Sequence, residues 1–534
     1  MSDVYDLAVV GSGFAGSLLA MIAHRLGRSV VLLERGSHPR IVIGESSTPL
    51  SNLLLQELAI RYDLPALLPL TKWGTWRQNY PEVSCGLKRG FSFFHHELGH
   101  PCNIRSDKQM LVAASPHDEI ADTHWYRADF DHHLVREAQR LGVVYHDEVN
   151  LRQFTEAEEY VELAGERRLQ DVSFRARFVV DATGPRGCLH RLLGLSEVVL
   201  PHMPTTQALY SHFSDVKRLD EDVLFGTGST PPYPVDDAAV HHVFDGGWIW
   251  VLRFNNGITS AGIAATEAAA RHLGLAEKAP AWERLLEQIP ALRKQFAEAT
   301  PQQPFTYMPR LGFRSGAITG TRWALLPSAA GFVDPLLSSG FPLTLLGVSR
   351  MAKMLDRHWN QTSFATELLN YAASTDGELL ATSRLIGALY ANMNNFDAFR
   401  AVSLLYFAAA SFSETVRRLG KPHLAQSFLL HTDPRFGPAS EALLNRATAG
   451  VSKSHTAAFV QEVQRLIEPF DVAGLCASPP NGWYPVDAED LKHAAWKVES
   501  TVEEVDDMLQ RCGFYTCGKA AYPSHSSRAT AARL

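Results

Sequence analysis

The apolar positions of this chain alternate between two periods. Asp6 to Val10 and Ser29 to Glu34 are short, nearly continuous apolar runs, the pattern of strands buried on both faces. Between them Gly11-Ser12-Gly13-Phe14-Ala15-Gly16 reads as a tight turn and Ser17 to Leu26 as a helix, so the first 34 residues predict one βαβ unit. Leu50 to Ala59 predicts a second helix, and Gly90 to Phe94 alternates like a strand. Phe130, Leu134, Ala138 and Leu141 recur at helical spacing behind Arg127, with a strand from Gly142 onward. Ala176 to Gly184, ARFVVDATG, returns to buried parallel-strand character. From Thr205 to Gly312 the runs are longer, aromatic and alternating, which predicts an antiparallel sheet interrupted by a helix near Pro280 to Glu298. WALLPSAAGFVDPLLSSGFPL then leads back to the first unit, and the chain from Val348 onward is mostly helical. Ala401 to Phe412 is apolar enough to be core, a pocket lining or a contact for another protein, and core is the simplest reading.

These elements predict an α/β protein: a Rossmann-like nucleotide-binding domain, an antiparallel substrate-domain sheet and a helical C-terminal region. The pattern divides the chain into residues 1–204 and 316–350 for the nucleotide domain, 205–315 for the sheet and 351–534 for the helical region.

Composition narrows the class. With 534 residues and 46% hydrophobic content the chain can bury a large core. A net charge of -7 without a long basic run argues against a nucleic-acid groove. Six cysteines (Cys85, Cys102, Cys188, Cys476, Cys512 and Cys517) include no C-x-x-C pair and suit a reducing, cytoplasmic compartment. The polar start MSDVYD leaves no room for a signal peptide. Trp323 to Val348 is apolar, but its prolines, glycines and Asp334 predict a buried loop rather than a membrane span.

The turn after the first strand carries the clearest chemistry. Gly11 allows the sharp turn, Gly13 lets the backbone approach a pyrophosphate, and Gly16 lets helix and strand pack closely, with Phe14 and Ala15 completing the loop. Glu34 stands where an acidic side chain meets an adenosine ribose. His96-Glu97-Leu98-Gly99-His100 matches the zinc-protease string, yet it follows a strand-like GFSFF, contains a glycine and runs into Pro101, so it predicts no helix and no metal site. The pairs His132-His133 and His241-His242 are adjacent and read as solvated or core histidines.

GSGFAG with Glu34, the Arg127-x-x-Phe130-Asp131 helix start, ARFVVDATG with Asp181, and AAGFVDPLLSSG resemble, in this order, the glutathione-reductase-type FAD fold of flavin monooxygenases. Within that group, Gly44-Glu45-Ser46-Ser47-Thr48-Pro49 resembles the G-E-S/A-x-x-P loop of the flavin-dependent halogenases, and Trp248-Ile249-Trp250 resembles their W-x-W element. The resemblance covers roughly residues 1–348. It implies an enzyme in which reduced FAD, delivered by a separate flavin reductase, works with oxygen and chloride or bromide to form a hypohalous oxidant. That oxidant halogenates an electron-rich aromatic: a phenol, a pyrrole or a carrier-protein-tethered ring.

The same resemblance implies roles for individual residues. Gly44, Glu45, Ser46, Arg127, Asp181, Asp334 and Pro335 join the first turn as FAD-binding positions, and Lys72, among the aromatics of TKWGTWRQNY, is the implied catalytic lysine, with Lys88 as second candidate. A compact ammonium whose pKa falls on desolvation is suited to holding such an oxidant. The backbone N–H groups of Ser339 and Gly340 are implied to meet a halide, or the loop simply packs the flavin. Trp248 and Trp250 either keep substrate from the flavin or pack one face of a strand. Three departures stand out. Leu252-Arg253 replaces isoleucine-proline, Pro327-Ser328 replaces glycine-aspartate where Ser328 would hold the ribityl chain, and Leu337 replaces the glutamate of the tryptophan-specific branch. An FAD monooxygenase or dehydrogenase on the same fold, or a flavin-losing binding protein, are the alternatives.

Overall fold

A computed structural model of the chain describes residues 4–100, 106–220, 230–477, 479 and 481–515. Cys102 and Cys517 lie outside these residues. The first βαβ unit is present as the strand Val4–Val10, the helix Phe14–Arg25 and the strand Val30–Leu33. Both strands pair in parallel, and the first pairs on its other side with Gln170–Asp181, bringing Val10 opposite Asp181. Val144–His146 and Trp323–Leu325 add parallel neighbours, while Val161–Arg167 and Val149–Glu156 extend the sheet antiparallel. Leu7, Ala8, Val9, Val31, Val179 and Val180 are all fully buried, as near-continuous apolar strands covered on both faces should be.

The second sheet runs from Thr300–Pro301 through Thr206–Ser214, Thr259–Thr266, Gly247–Arg253 and Ala239–Phe244 to Gly90–His95, Gln109–Ala113 and Trp483–Tyr484. It departs from expectation in two respects. Ala239–Phe244 pairs in parallel with Gly90–His95, and Trp483–Tyr484 pairs in parallel with Gln109–Ala113. Two of its strands therefore come from the N-terminal third and one from the C-terminal third, because edge strands recruit partners by open backbone groups rather than by sequence proximity. The helix expected at 280–298 is two helices, Ala279–Gln288 and Pro290–Gln295, broken where Pro290 cannot donate to the preceding turn.

The return segment after Trp323–Leu325 makes a tight turn and then the helix Gly340–Arg357, which packs on Phe14–Arg25. Beyond it lie the long helices Phe364–Ala391 and Phe396–Arg418 and a series of shorter ones ending with Val502–Cys512. Most of Ala401 to Phe412 is buried in the core. No helix among the described residues is long and apolar enough to cross a membrane. His96 to His100 is not helical, and His100 is exposed.

Candidate functional site

The interface of the two sheets encloses a cavity of about 440 Å³. Gly11, Gly13, Phe14, Ala15 and Glu34 form one end of it, Gly44, Glu45, Ser46 and Arg127 a side wall, and Ser328, Asp334, Pro335, Ser339 and Gly340 the other end, with Trp248 and Trp250 above. Five separate stretches of sequence thus converge on one space.

The geometry of the first turn matches its glycines. Gly11 has φ of +98°, and a Cβ there would lie 2.8 Å from the Ala182 backbone; a Cβ on Gly16 would strike the Gly11 carbonyl oxygen at 1.9 Å. Gly16 therefore packs helix on strand behind the cavity. Gly13 differs: a Cβ there would meet only side-chain atoms at 3.6 Å and beyond, and it would project into the cavity. Glu34 accepts from Ser12 N at 2.9 Å, Gly36 N at 2.9 Å and Arg40 Nη2 at 3.2 Å. Burial pushes its carboxyl up, but the Arg40 charge and the Gly36 and Ser12 donors hold it below the usual value, so it is a firm anion at this end of the cavity.

Asp181 does not reach the cavity. Its oxygens accept from Thr183 N at 2.8 Å, Thr183 Oγ1 at 2.6 Å and Leu189 N at 2.6 Å, closing the turn that follows its strand. Its role here is to shape the 182–189 loop, several of whose residues line the cavity.

The G-E-S loop is clamped from two sides. Arg127 grips Asp131 with two hydrogen bonds, 2.8 and 2.7 Å, and donates its remaining Nη1 to Gly44 O at 2.9 Å. Trp125 N donates to Glu45 O at 2.6 Å, and Ser47 Oγ to Thr123 O at 2.7 Å, so the loop runs beside the strand Asp122–Trp125. The Glu45 side chain accepts from His212 Nε2 at 2.8 Å, with both residues buried. Burial pulls that imidazole down, but the Glu45 charge and hydrogen bond more than offset it and raise its pKa. His212 stands on the second sheet, so this pair joins the two halves of the molecule. No motif in the sequence marks it.

At the far end Asp334 Oδ1 accepts from Leu336 N at 3.0 Å and Trp248 Nε1 at 3.3 Å, and Oδ2 from Tyr390 OH at 2.9 Å. Burial raises its carboxyl to about 7, against the pull of these three donors. The bond to Leu336 pins the start of a turn in which Leu337 and Ser338 both have left-handed backbones, φ 63° and 54°. The turn delivers Ser339 and Gly340 to the N-terminus of the helix Gly340–Arg357, and a Cβ on Gly340 would meet nothing within 4 Å. Trp248 and Trp250 lie on the same face, ring centroids 5.6 Å apart. Arg253 points elsewhere, binding Asp236 Oδ1 at 2.9 Å and Val216 O at 2.8 Å.

Lys72 is not part of this cavity. It precedes the short helix Trp73–Asn79, and its Nζ donates to Cys512 O at 3.0 Å at the end of the last described helix. Lys88 is the lysine beside the G-E-S loop. It is fully buried, and its Nζ donates to Ser46 Oγ at 2.9 Å and to Ser47 O, and lies 3.9 Å from the Phe91 ring centroid. Burial drives its ammonium pKa down. On the far side of this lysine is a second cavity of about 150 Å³, lined by Phe91, Tyr406 and Phe407 with Asp122, Glu414, Arg418 and Lys72.

A model of the family described as tryptophan halogenase matches residues 105–399, more than half of the chain. The chain belongs to the tryptophan halogenase family. Its place there makes it an oxidoreductase of the flavin-dependent halogenase type, with FAD as cofactor and halide as co-substrate. It is 28% identical over 408 residues to monodechloroaminopyrrolnitrin halogenase PrnC of Pseudomonas fluorescens, covering 74% of this chain and 70% of that one. It is 26% identical over 416 residues to tetracycline 7-halogenase of Kitasatospora aureofaciens, covering 76% and 73%. The structure of halogenase PltM in complex with phloroglucinol and FAD superposes with a TM-score of 0.76 at 24% identity, covering 88% of this chain and 98% of that one. The residues of the larger cavity fit FAD: a glycine opening at Gly13, an anionic Glu34 and an open Gly340 backbone stand along one continuous space.

Proposed function

We propose that the larger cavity holds FAD and that Lys88, rather than Lys72, passes the hypohalous oxidant to an aromatic ring held in the smaller one. Bound FAD supplies, with oxygen and halide, the oxidising equivalents. The Gly11 to Gly16 turn and Glu34 hold the adenosine diphosphate, and Arg127 fixes the Gly44 to Ser46 wall. The N–H groups of Ser339 and Gly340, at a helix N-terminus, meet the halide. Trp248 and Trp250 close the roof and keep the organic substrate out.

The observation that carries this reading is the position of Lys88 in the wall between the cavities. Ser46, its hydrogen-bond partner, lines the first; Phe91, whose ring lies under its ammonium, lines the second. A buried ammonium with a depressed pKa gives up a proton readily and can hold the oxidant by hydrogen bond.

The smaller cavity suits a single electron-rich ring. Phe91, Tyr406 and Phe407 offer aromatic faces, and its volume matches one ring with small substituents. Leu337 brings no carboxylate to the turn, which argues against free tryptophan. Relatives of this chain are named for pyrrole-2-carbonyl groups on peptidyl carrier proteins, and a phenol, a pyrrole or a carrier-tethered ring is the substrate class here. A separate flavin reductase supplies reduced FAD, in keeping with a single nucleotide motif. The free thiols of Cys85, Cys188, Cys476 and Cys512 suit the cytoplasm.

The test supplies purified protein with FAD, a flavin reductase, NADH, oxygen and bromide, and screens phenols, pyrroles and indoles by mass spectrometry. Brominated product from the wild type, lost at least 100-fold in Lys88→Met with FAD still bound, is expected. Bromination that persists in Lys88→Met, or hydroxylated product formed irrespective of halide, overturns the reading.

A further inference from the structure

Asp122 stands directly opposite Lys88 in the antiparallel pair of Cys85–Lys88 and Asp122–Trp125. Side chains of residues paired in this way emerge on the same face. The Asp122 side chain lines the smaller cavity, and the residue is 6% exposed. Asn52 Nδ2 donates to Oδ1 at 2.9 Å, whereas the buried Oδ2 has no hydrogen-bond partner. A buried carboxylate oxygen without a donor is costly, and the cost is relieved by a ligand that brings one. The surrounding groups leave Oδ2 without a donor: Lys88 directs two of its three ammonium N–H groups to Ser46 and Ser47, and Arg418 binds Glu414 through Nε at 2.7 Å and the Cys512 sulfur through Nη1 at 3.4 Å.

We propose that Asp122 Oδ2 accepts a hydrogen bond from an O–H or N–H on the substrate ring and takes that proton as the ring is halogenated, which makes phenols and arylamines, rather than arenes lacking a donor, the preferred substrates. The inference rests on the smaller cavity being the substrate site. For a phenol, a ring carbon forms its bond to the halogen as the halogen–oxygen bond of hypohalous acid breaks. The hydroxide released takes a proton from Lys88 and leaves as water, and the phenolic proton passes to Asp122. The halogenated dienone then loses its ring proton to the Lys88 amine, and Asp122 returns its proton to the oxygen. Phenol and hypohalous acid give halophenol and water, with both side chains restored.

Burial raises the Asp122 carboxyl, against the attraction of the Lys88 charge, with Glu414 adding to the rise and Asn52 and Arg418 opposing it. A carboxylate so placed is a stronger base than one in water. Tyr406 also stands close to Asp122, and burial keeps its hydroxyl protonated.

The test compares resorcinol with 1,3-dimethoxybenzene, which keeps the ring and loses the donors. Asp122→Asn retains the shape and the acceptor for Asn52 but turns an amide towards the cavity. The wild-type preference for resorcinol in kcat/KM is expected to fall at least tenfold in this variant, with FAD binding retained; an unchanged preference overturns the proposal. Lys88→Met loses both substrates alike if the lysine reading holds, so failure of that reading is seen separately. Should Asp122→Asn not fold, equilibrium binding to the FAD-loaded wild type decides: resorcinol is expected to bind at least tenfold more tightly than its dimethyl ether, and equal or weaker binding overturns the proposal.

Discussion

Lys88 Nζ and Ser46 Oγ, 2.9 Å apart, join a strand of one cavity wall to the loop that lines the other. Lys72, the first candidate by the family resemblance, is held by a single backbone carbonyl, that of Cys512. Burial lowers its pKa and the nearby Arg418 charge lowers it further, but it lines the smaller cavity and not the larger, and its ammonium donates to Cys512 O rather than to Ser46. Lys72→Met is therefore expected to keep kcat within about tenfold of the wild type and to act mainly on KM, by loosening the end of the helix Val502–Cys512. Steady-state bromination kinetics check this, and a loss of kcat as deep as that of Lys88→Met would restore Lys72 to the catalytic role.

The Glu45–His212 pair predicts a pH-dependent contribution to stability. Its imidazole pKa is raised in the fold, so the stabilisation is fully present below the unfolded value near 6.5 and is lost as pH rises through the higher folded value. His212→Phe leaves Glu45 buried, with its other oxygen, Oε2, already lacking a partner, and should cost roughly 3–5 kcal/mol at pH 6. Urea denaturation at pH 6 and pH 8.5 should show a smaller difference between wild type and variant at the higher pH.

Much of the larger cavity was legible because its residues are read locally. A glycine turn between a buried strand and a helix has few alternatives, and Gly11 and Gly16 each meet the steric demand their spacing implies. The choice between Lys72 and Lys88 was not legible in this way. Lys88 is chosen by the pairing of Cys85–Lys88 with Asp122–Trp125, a register that joins segments more than thirty residues apart by backbone hydrogen bonds. Asp122 and His212 were missed for the same reason: each sits on an ordinary strand and acquires meaning only from its partner. Asp181 was placed at the cofactor by the resemblance, yet its carboxylate turns inward because the Thr183 and Leu189 donors offer it a complete set of bonds.

Two glycine substitutions separate cofactor approach from folding. Gly16→Ala forces a Cβ against the Gly11 carbonyl oxygen and should lower the melting temperature by several degrees or prevent folding. Gly13→Ala meets only ordinary contacts within the protein but fills space on the cavity side. It should leave the melting temperature of the FAD-free protein within about 2 °C and weaken FAD at least tenfold. Differential scanning fluorimetry and flavin fluorescence titration report the two quantities independently; equal FAD affinity in Gly13→Ala would show that the pyrophosphate does not sit on this turn.

Asp334 makes a pH prediction of the same sign as His212, from a group that burial keeps neutral rather than one that a partner keeps charged. Burial raises its carboxyl to about 7 in the fold, against about 3.9 for an ordinary aspartate, so the native state binds more protons than the unfolded chain between these limits. Its contribution to stability therefore falls as pH rises from 4 towards 7, and above pH 7 the buried carboxylate costs up to ~4 kcal/mol. Asp334→Asn removes the titration while keeping an acceptor for Leu336 N. Relative to the wild type, the FAD-free variant should gain stability by a few kcal/mol between pH 5 and pH 8, measured by urea denaturation. The same variant should weaken bromide, because Tyr390 and Trp248 then hold the 335–340 turn through a neutral amide. A stability difference independent of pH would mean that Asp334 stays ionised throughout, with its three donors outweighing burial.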